Sequence, residues 1–468
     1  MKSEKKLKIC IIGAGIGGLT AAALLSKQGF KVKVFEKESL VGGRALTLNM
    51  SKYTYKDYIE LLSRFKMFIP FSEPSIETIF KEKMLDGFHL DLGFHVFGGE
   101  IASNISNSTL DDSIEMLKSR LYVSDRGENT TFVTLSDKIK MLPNLLRLFL
   151  SGEKTMNQLD KISMTETIKR YGKGKMKDVL ELNPRLITTV NNLDNISSGE
   201  VLRTQRKMKL RGVRYPRKGL ENVFETLVNF IQQNGGKIFL NSTVSKVVIN
   251  DNKIKEIVVN NKNISCDVLI SNVIVQDLFK IVDERYFPKK YVSEIKSLRG
   301  TASLCAYYSL VNIDKDLPGK NFVFIEKDTG LDGNDVVGMV DFMVSLPEAG
   351  LVPDGHNLIQ AYVICTPEEI RNKKSLEKLK NILDKNLDNI IPGYDNKLRW
   401  AIYPAISHLD GVAKTIENEK PDVTTPIDNL YLVGDCVKAP GIGFNCALNS
   451  ANVLSDIIIS KQINKNFN

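Results

Sequence analysis

The chain has 468 residues, 43% hydrophobic and 25% charged, enough apolar material for two or three packed domains and too much for a largely disordered protein. A net charge of +9, from 64 Lys and Arg against 55 Asp and Glu, carries meaning only where the excess clusters. Six scattered cysteines (Cys10, Cys266, Cys305, Cys365, Cys436 and Cys446) argue against a disulfide scaffold, and the absence of an apolar signal region before the first strand predicts a reducing, cytoplasmic setting.

In chain order, Lys8-Ile-Cys-Ile-Ile-Gly13 reads as a buried parallel strand. A glycine-rich turn leads into a helix from about Gly15 to Gln28, closed by Gly29, and Lys31-Val-Lys-Val-Phe-Glu36 is the second strand. The apolar run over residues 9–25 has the length of a membrane span, but its glycines divide it into strand, turn and helix. Residues 48–83, rich in Tyr, Phe and Lys, are expected to be helical, as an insertion or cap. Residues 100–205 mix polar and helical segments without a repeat. A helix near Leu220–Gln233 ends at Asn234-Gly-Gly236, and strands are predicted at 237–241, 244–250 and 253–260. Cys266–Asn272 reads as another buried strand, and residues 276–400 as a second mixed α/β region. A strand at Asn429–Gly434 and a helix from about Gly443 to Ser460 close the chain. No linker divides it, so the domains are predicted to interleave.

The chemistry is concentrated in the turns. In Gly13-Ala-Gly15-Ile-Gly17-Gly18, Gly13 permits the tight turn, Gly15 admits a pyrophosphate to the backbone, and Gly18 lets helix pack on strand. The helix N-terminus supplies N–H donors and partial positive charge. Glu36, at the end of the second strand, is placed to accept from ribose hydroxyls, which favours FAD or NAD over NADP. Its neighbour Lys37 joins the candidate binding set. Gly42-Gly43-Arg44 follows, a flexible turn suited to bringing a guanidinium against phosphate.

With those motifs in place, the chain resembles the FAD-dependent flavin amine oxidase and phytoene desaturase superfamily. The resemblance runs through Gly13–Gly18 with Glu36, Gly42-Gly-Arg44, and Asp86-Gly-Phe-His-Leu-Asp-Leu-Gly-Phe-His95. It continues in Tyr215-Pro-Arg-Lys-Gly219, Asn241-Ser-Thr-Val244 and Asp267–Asn272, and closes in Leu430-Tyr-Leu-Val-Gly434-Asp435 and Pro440-Gly-Ile-Gly443. It implies an α/β fold: a Rossmann-like FAD-binding domain from residues 1–47, 84–100, 212–275 and 425–468, interleaved with a mixed α+β substrate domain from 48–83, 101–211 and 276–424. It further implies that Arg44 lies near the FAD diphosphate and that Val244 holds the adenine through its backbone. Gly434 and Asp435 would bind the ribityl chain or phosphate, Gly441, Ile442, Gly443 and Phe444 would present a helix N-terminus to the flavin, and Gly93 and His95 would lie near the ring. Two departures concern the substrate rather than the flavin: the long insertion at 45–85, and Arg217-Lys218 where small residues are usual.

The resemblance implies hydride transfer between a lipophilic substrate and flavin, in a carotenoid or isoprenoid desaturase or saturase. The alternatives are a flavin amine oxidase, for which Trp400 and Tyr403 are candidate aromatic partners, a redox-neutral isomerase, and a non-redox prenyl-protein escort of the GDP-dissociation-inhibitor type. His95 and Tyr403 are the candidates for a proton-handling residue. His89, His356 and His408 read as surface or turn residues. Cys436 and Cys446 read as buried thiols, with covalent flavin attachment as the alternative. No metal site and no nucleic-acid motif is expected. Arg203 to Lys218 holds eight basic residues in sixteen positions and no acid, so it is either a solvated face or a contact for an anionic partner, a membrane surface or the diphosphate of a prenyl substrate. The apolar segments 65–71 and 141–150 are long enough to dip into a membrane surface, or to be ordinary core.

Overall fold

The computed structural model describes residues 7–467 apart from 96, 99–113, 126–127, 132–133, 137–138, 141, 144–145, 147–149, 151, 209–212, 332 and 442. Two sheets organise it. The first is five-stranded and parallel, in the order Lys237–Phe239, Lys31–Phe35, Lys8–Ile12, Val268–Ser271, Leu430–Leu432. Four separate stretches of chain therefore meet in one sheet. The central strand is buried along all but its first residue, which explains its uninterrupted run of Ile and Cys. The helix Ile16–Lys27 is buried over most of its length because the helices Gly219–Gln233 and Gly443–Phe467 both pack on it. A side chain at Gly18 would overlap the Gly13 carbonyl oxygen, and Gly13 itself sits at φ +93°. Only glycine meets both demands.

The second sheet has eight strands, in the order Met67–Glu73, Leu398–Ile406, Ala302–Leu310, Asn357–Cys365, Val336–Asp341, Lys320–Glu326, Arg120–Asp125, Glu128–Thr131. All pairings are antiparallel except that between Lys320–Glu326 and Arg120–Asp125. One face packs on the amphipathic helix Lys373–Ile390 and forms its own core, containing Tyr308, Phe322 and Tyr403. The other face, with Tyr307, Tyr362 and Ile402, joins the main core. Neighbouring residues such as Tyr307 and Tyr308 belong to different cores, as strand alternation requires.

Residues 48–83 are not wholly helical. Helices occupy Tyr55–Arg64 and Ile76–Lys81, but Met67–Glu73 is a strand at the edge of the second sheet, antiparallel to Leu398–Ile406. Its Phe-Ile-Pro-Phe run suits that place, because proline is tolerated on an edge strand where no ladder hydrogen bond is lost. The segment 65–71 is thus part of a sheet rather than a free apolar tip. The last helix runs on from the expected Ser460 to Phe467.

Candidate active site

A cleft of about 460 Å³ opens at the carboxyl ends of the parallel strands, the place where open α/β sheets bind ligands. Of the residues assigned by sequence ahead of the C-terminal segment, Gly13, Gly15, Gly17, Glu36, Lys37, Gly43, Arg44, His95 and Val244 line it. From the C-terminal segment come Gly434, Asp435, Gly443 and Phe444. Gly18, Gly93 and Gly441 stand behind the wall, and Ile442 lies outside the described residues. Gly93 (φ +93°) shapes the strap next to His95, and Gly441 (φ +103°) shapes the turn that opens the last helix.

The residues fit FAD. Helix Ile16–Lys27 begins at Gly15 with no side chain capping it and no acidic residue in its first turn, so its N–H groups are left for an anion. A Cβ on Gly17 would come within 3.1 Å of Gly434 N and 2.8 Å of Asn272 Oδ1, which keeps this approach to glycine alone. Glu36 accepts from the N–H groups of Ala14 at 2.6 Å and Glu38 at 3.0 Å. Burial raises its pKa, and those two N–H groups oppose the rise. The remaining lone pairs of its carboxylate can take ribose hydroxyls.

Arg44 and Asp435 form an ion pair at 2.5 Å. Arg44 Nη1 also donates to the carbonyls of His408 and Leu409, at 3.2 and 3.3 Å. Asp435 accepts from Gly411 N–H at 2.8 Å. Burial opposes ionisation of Asp435, but Arg44 overcomes it and holds the carboxyl well below the ordinary range. Part of the Arg44 charge is therefore already matched, and diphosphate attraction falls largely to the helix N-terminus.

His95 Nε2 lies 2.9 Å from the Leu92 carbonyl and 3.2 Å from that of Arg44. Two acceptors fix the proton on Nε2, and among the described residues nothing hydrogen-bonds Nδ1. Tyr403 is a different matter. It is 1% exposed, donates to Asp384 at 2.7 Å and packs in the core beneath helix Lys373–Ile390. It belongs to the face turned away from the cleft, so it is not a proton-handling residue. Trp400 is equally buried, against Phe88, and the two do not form an aromatic pair at the cleft. His408, read as a surface or turn residue, is part-buried near the cleft, and burial with Lys66 and Arg44 nearby pushes its pKa down to about 4.

All six cysteines are free and buried. Cys446 Sγ faces the carbonyls of Val437 and Ala439, at 3.5 and 3.4 Å, and neither it nor Cys436 lines the cleft. Among the described residues no cluster of His, Cys, Asp and Glu could hold a metal ion.

Sequence reasoning missed three things. Asn272 sits among the glycines of both motifs, with its amide facing Gly15, Gly17 and Gly434. Its place at the carboxyl end of a parallel strand was a usable signal. Tyr215 donates to Asp91 at 2.5 Å and Thr47 donates to the same carboxylate at 2.6 Å, which ties two recognised blocks together behind Gly93. Asp410 and Thr189, on the cleft wall, left no signal in the sequence.

A Rossmann-like sheet with an intact glycine turn, a terminal acid and a second helix N-terminus at one cleft defines an FAD-dependent oxidoreductase. Residues 16–458 match the family described as flavin containing amine oxidoreductase, and the chain belongs to that family. It is 20% identical to a 4,4'-diapolycopen-4-al dehydrogenase of Metabacillus indicus, over 98% of each chain. It is 21% identical to a 1-hydroxycarotenoid 3,4-desaturase of Flavobacterium sp. (strain P99-3), over 96% of this chain and 99% of the other. A solved oxidoreductase from Methanosarcina mazei shares the fold, with TM-score 0.71 and 21% identity over 96% of this chain and 100% of that one.

Proposed function

We propose that this enzyme desaturates or saturates a carotenoid or another isoprenoid lipid. One observation carries the reading: the cleft wall includes Phe94, next to His95, with Tyr362, Leu186, Leu409 and Phe444. The Phe94 and Tyr362 ring centroids lie 4.3 Å apart at 34°. Rings in mutual contact leave no gap in which an amine could sit between them, so this pair favours an apolar chain over the amine-oxidase alternative. The names of the two carotenoid-converting relatives support the same substrate class.

Bound FAD supplies a two-electron acceptor or donor of hydride. The chain supplies the rest. The glycine turn and Glu36 fix the adenosine half, the apolar wall excludes water and aligns the substrate, and His95 Nδ1 is available to polar groups near Phe94. The intact Gly434-Asp435 and Gly443 segments leave no reason to favour a non-redox escort.

The substrate class implies a lipid surface as its source. Leu135, Ile139, Leu142, Leu146 and Leu150 are exposed and recur every three or four residues. Two of the eight basic residues in the basic stretch are already matched by acids, and residues 209–212 lie outside the described residues. Arg203 pairs with Asp160 and Glu200, and Arg217 with Glu115. Among the described residues no helix is long and apolar enough to cross a membrane. Flotation with anionic liposomes is expected to carry the protein, and replacing Leu142 and Leu146 with Ser to release more of it than neutralising Arg203 and Arg217.

The deciding experiment mixes holoprotein anaerobically with isoprenoid lipids and, separately, with primary and secondary amines. Isoprenoids are expected to bleach the oxidised flavin, or polyenes to restore colour to the reduced one. Bleaching by amines alone overturns the reading.

A further inference from the structure

Asp410 is 3% exposed and sits on the cleft wall between Leu409 and the first turn of helix Gly443–Phe467. Its surroundings hold it tightly. Its N–H donates to Thr301 Oγ1 at 3.0 Å, Thr189 Oγ1 reaches its Oδ2 at 3.3 Å, and the two threonine hydroxyls are 2.8 Å apart. Thr189 ends helix Lys175–Thr188 at φ +53°. A β-branched residue rarely adopts that conformation, and it persists only where the surroundings over-determine it. The strained turn places the Thr189 hydroxyl within reach of three oxygens, the Thr188 carbonyl at 2.7 Å, Thr301 Oγ1 at 2.8 Å and Asp410 Oδ2 at 3.3 Å, so its one proton is shared among them.

Four carboxyls line the cleft, and they differ in what satisfies them. Asp435 is paired with Arg44, Asp277 with Lys66 and Lys280, and Glu36 with two backbone N–H groups. Asp410 has one threonine hydroxyl on Oδ2, and among the described residues nothing hydrogen-bonds its Oδ1. That oxygen lies 3.4 Å from where a Cβ on Gly443 would stand, beside the helix turn assigned to the flavin. A buried carboxyl oxygen open to a reaction cleft, with the rest of its residue held by two threonines, is the arrangement a proton-transfer group needs.

We propose that Asp410 Oδ1 exchanges the proton in this reaction, with Thr189 and Thr301 as its positioning residues. The substrate named for that proton rests on the isoprenoid reading above; the place of the carboxyl beside the flavin does not. In desaturation bound FAD would supply the acceptor for the hydride that one carbon gives up, hydrogen and electron pair together. The adjacent carbon loses a proton to the Asp410 carboxylate as the C=C bond forms. Saturation reverses both transfers, and the atoms and electrons close in either direction. Burial and then the Asp435 charge raise the pKa of Asp410, while Lys420, Lys414 and Arg44 oppose the rise and Tyr362 faces it as a neutral phenol. A carboxyl moved toward neutrality can take and return a proton under working conditions.

The test uses holoprotein with Asp410→Asn, which keeps size and hydrogen bonding, and Thr189→Val. The visible spectrum of the bound flavin is titrated with pH, and flavin bleaching by isoprenoid is timed anaerobically. Wild type is expected to show a one-proton spectral transition above the ordinary carboxyl range. Asp410→Asn should lose it, retain FAD, and bleach about 100-fold more slowly. Thr189→Val should shift the transition upward, because its hydroxyl no longer donates to the carboxylate. A wild-type spectral titration or bleaching rate in Asp410→Asn overturns the proposal. If the transition disappears in Asp410→Asn while no isoprenoid bleaches wild type, the carboxyl assignment is supported and the substrate reading fails.

Discussion

The two sheets do their work by different means. Around the parallel sheet, function lies in the backbone: turns that only glycine can make, N–H groups at helix starts, and one acid at a strand end. Around the eight-stranded sheet, it lies in which face a side chain takes and which distant side chain it meets. Tyr307 and Tyr308 are adjacent, yet the first donates to the Asp91 carbonyl behind the cleft at 2.5 Å and the second to Asp384 in the outer core at 2.9 Å. Backbone function leaves a compositional signature, whereas facial function leaves almost none.

The sharpest challenge to this contrast is Gly18→Ala. The added Cβ meets a backbone oxygen that cannot move aside, so a loss of about 3 kcal/mol in urea unfolding, with loss of the yellow colour, is expected. A variant that stays folded and yellow would show that the glycine turn is not the rigid element described.

Arg44→Ala comes next. It leaves Asp435 buried without its cation, at a cost of about 3 kcal/mol. Because the folded pKa of Asp435 is depressed, the pair's contribution is complete above the unfolded carboxyl pKa and is lost as pH falls through the folded value. The difference in Tm between wild type and variant should therefore be largest near neutrality and shrink in acid. A difference that does not change with pH would remove the ion pair as its cause.

Glu36→Ala is expected to weaken FAD binding about tenfold, or 1.4 kcal/mol, while leaving the fold unchanged. Flavin occupancy after dialysis measures it; unaltered occupancy would argue that Glu36 serves only to hold Ala14 and Glu38. Tyr403→Phe should have the smallest effect: about 1 kcal/mol of stability, from the bond to Asp384, with turnover and flavin content unchanged. A fall in turnover in the folded variant would mean that strand facing has been misassigned.

The sequence by itself determined the strand–turn–helix–strand unit and Glu36 at the end of its second strand, whereas the part played by Gly434–Gly443 came only from the family resemblance. The unit and its terminal acid follow from steric rules that act over a few residues, where a missing Cβ or a fixed φ is visible in the letters. It did not determine that Met67–Glu73 is a strand, since a short apolar run beside helices satisfies either period until a partner edge is present. Nor could it place Tyr403 away from the cleft, because a shift of one residue in strand register exchanges the two faces. Asp410 and Thr189 stand 221 residues apart in the chain and meet only because a helix end and a loop are brought to the same wall. Their contact, and the carboxyl oxygen it leaves open, exist only in the tertiary structure, where burial and long-range packing decide what a side chain touches.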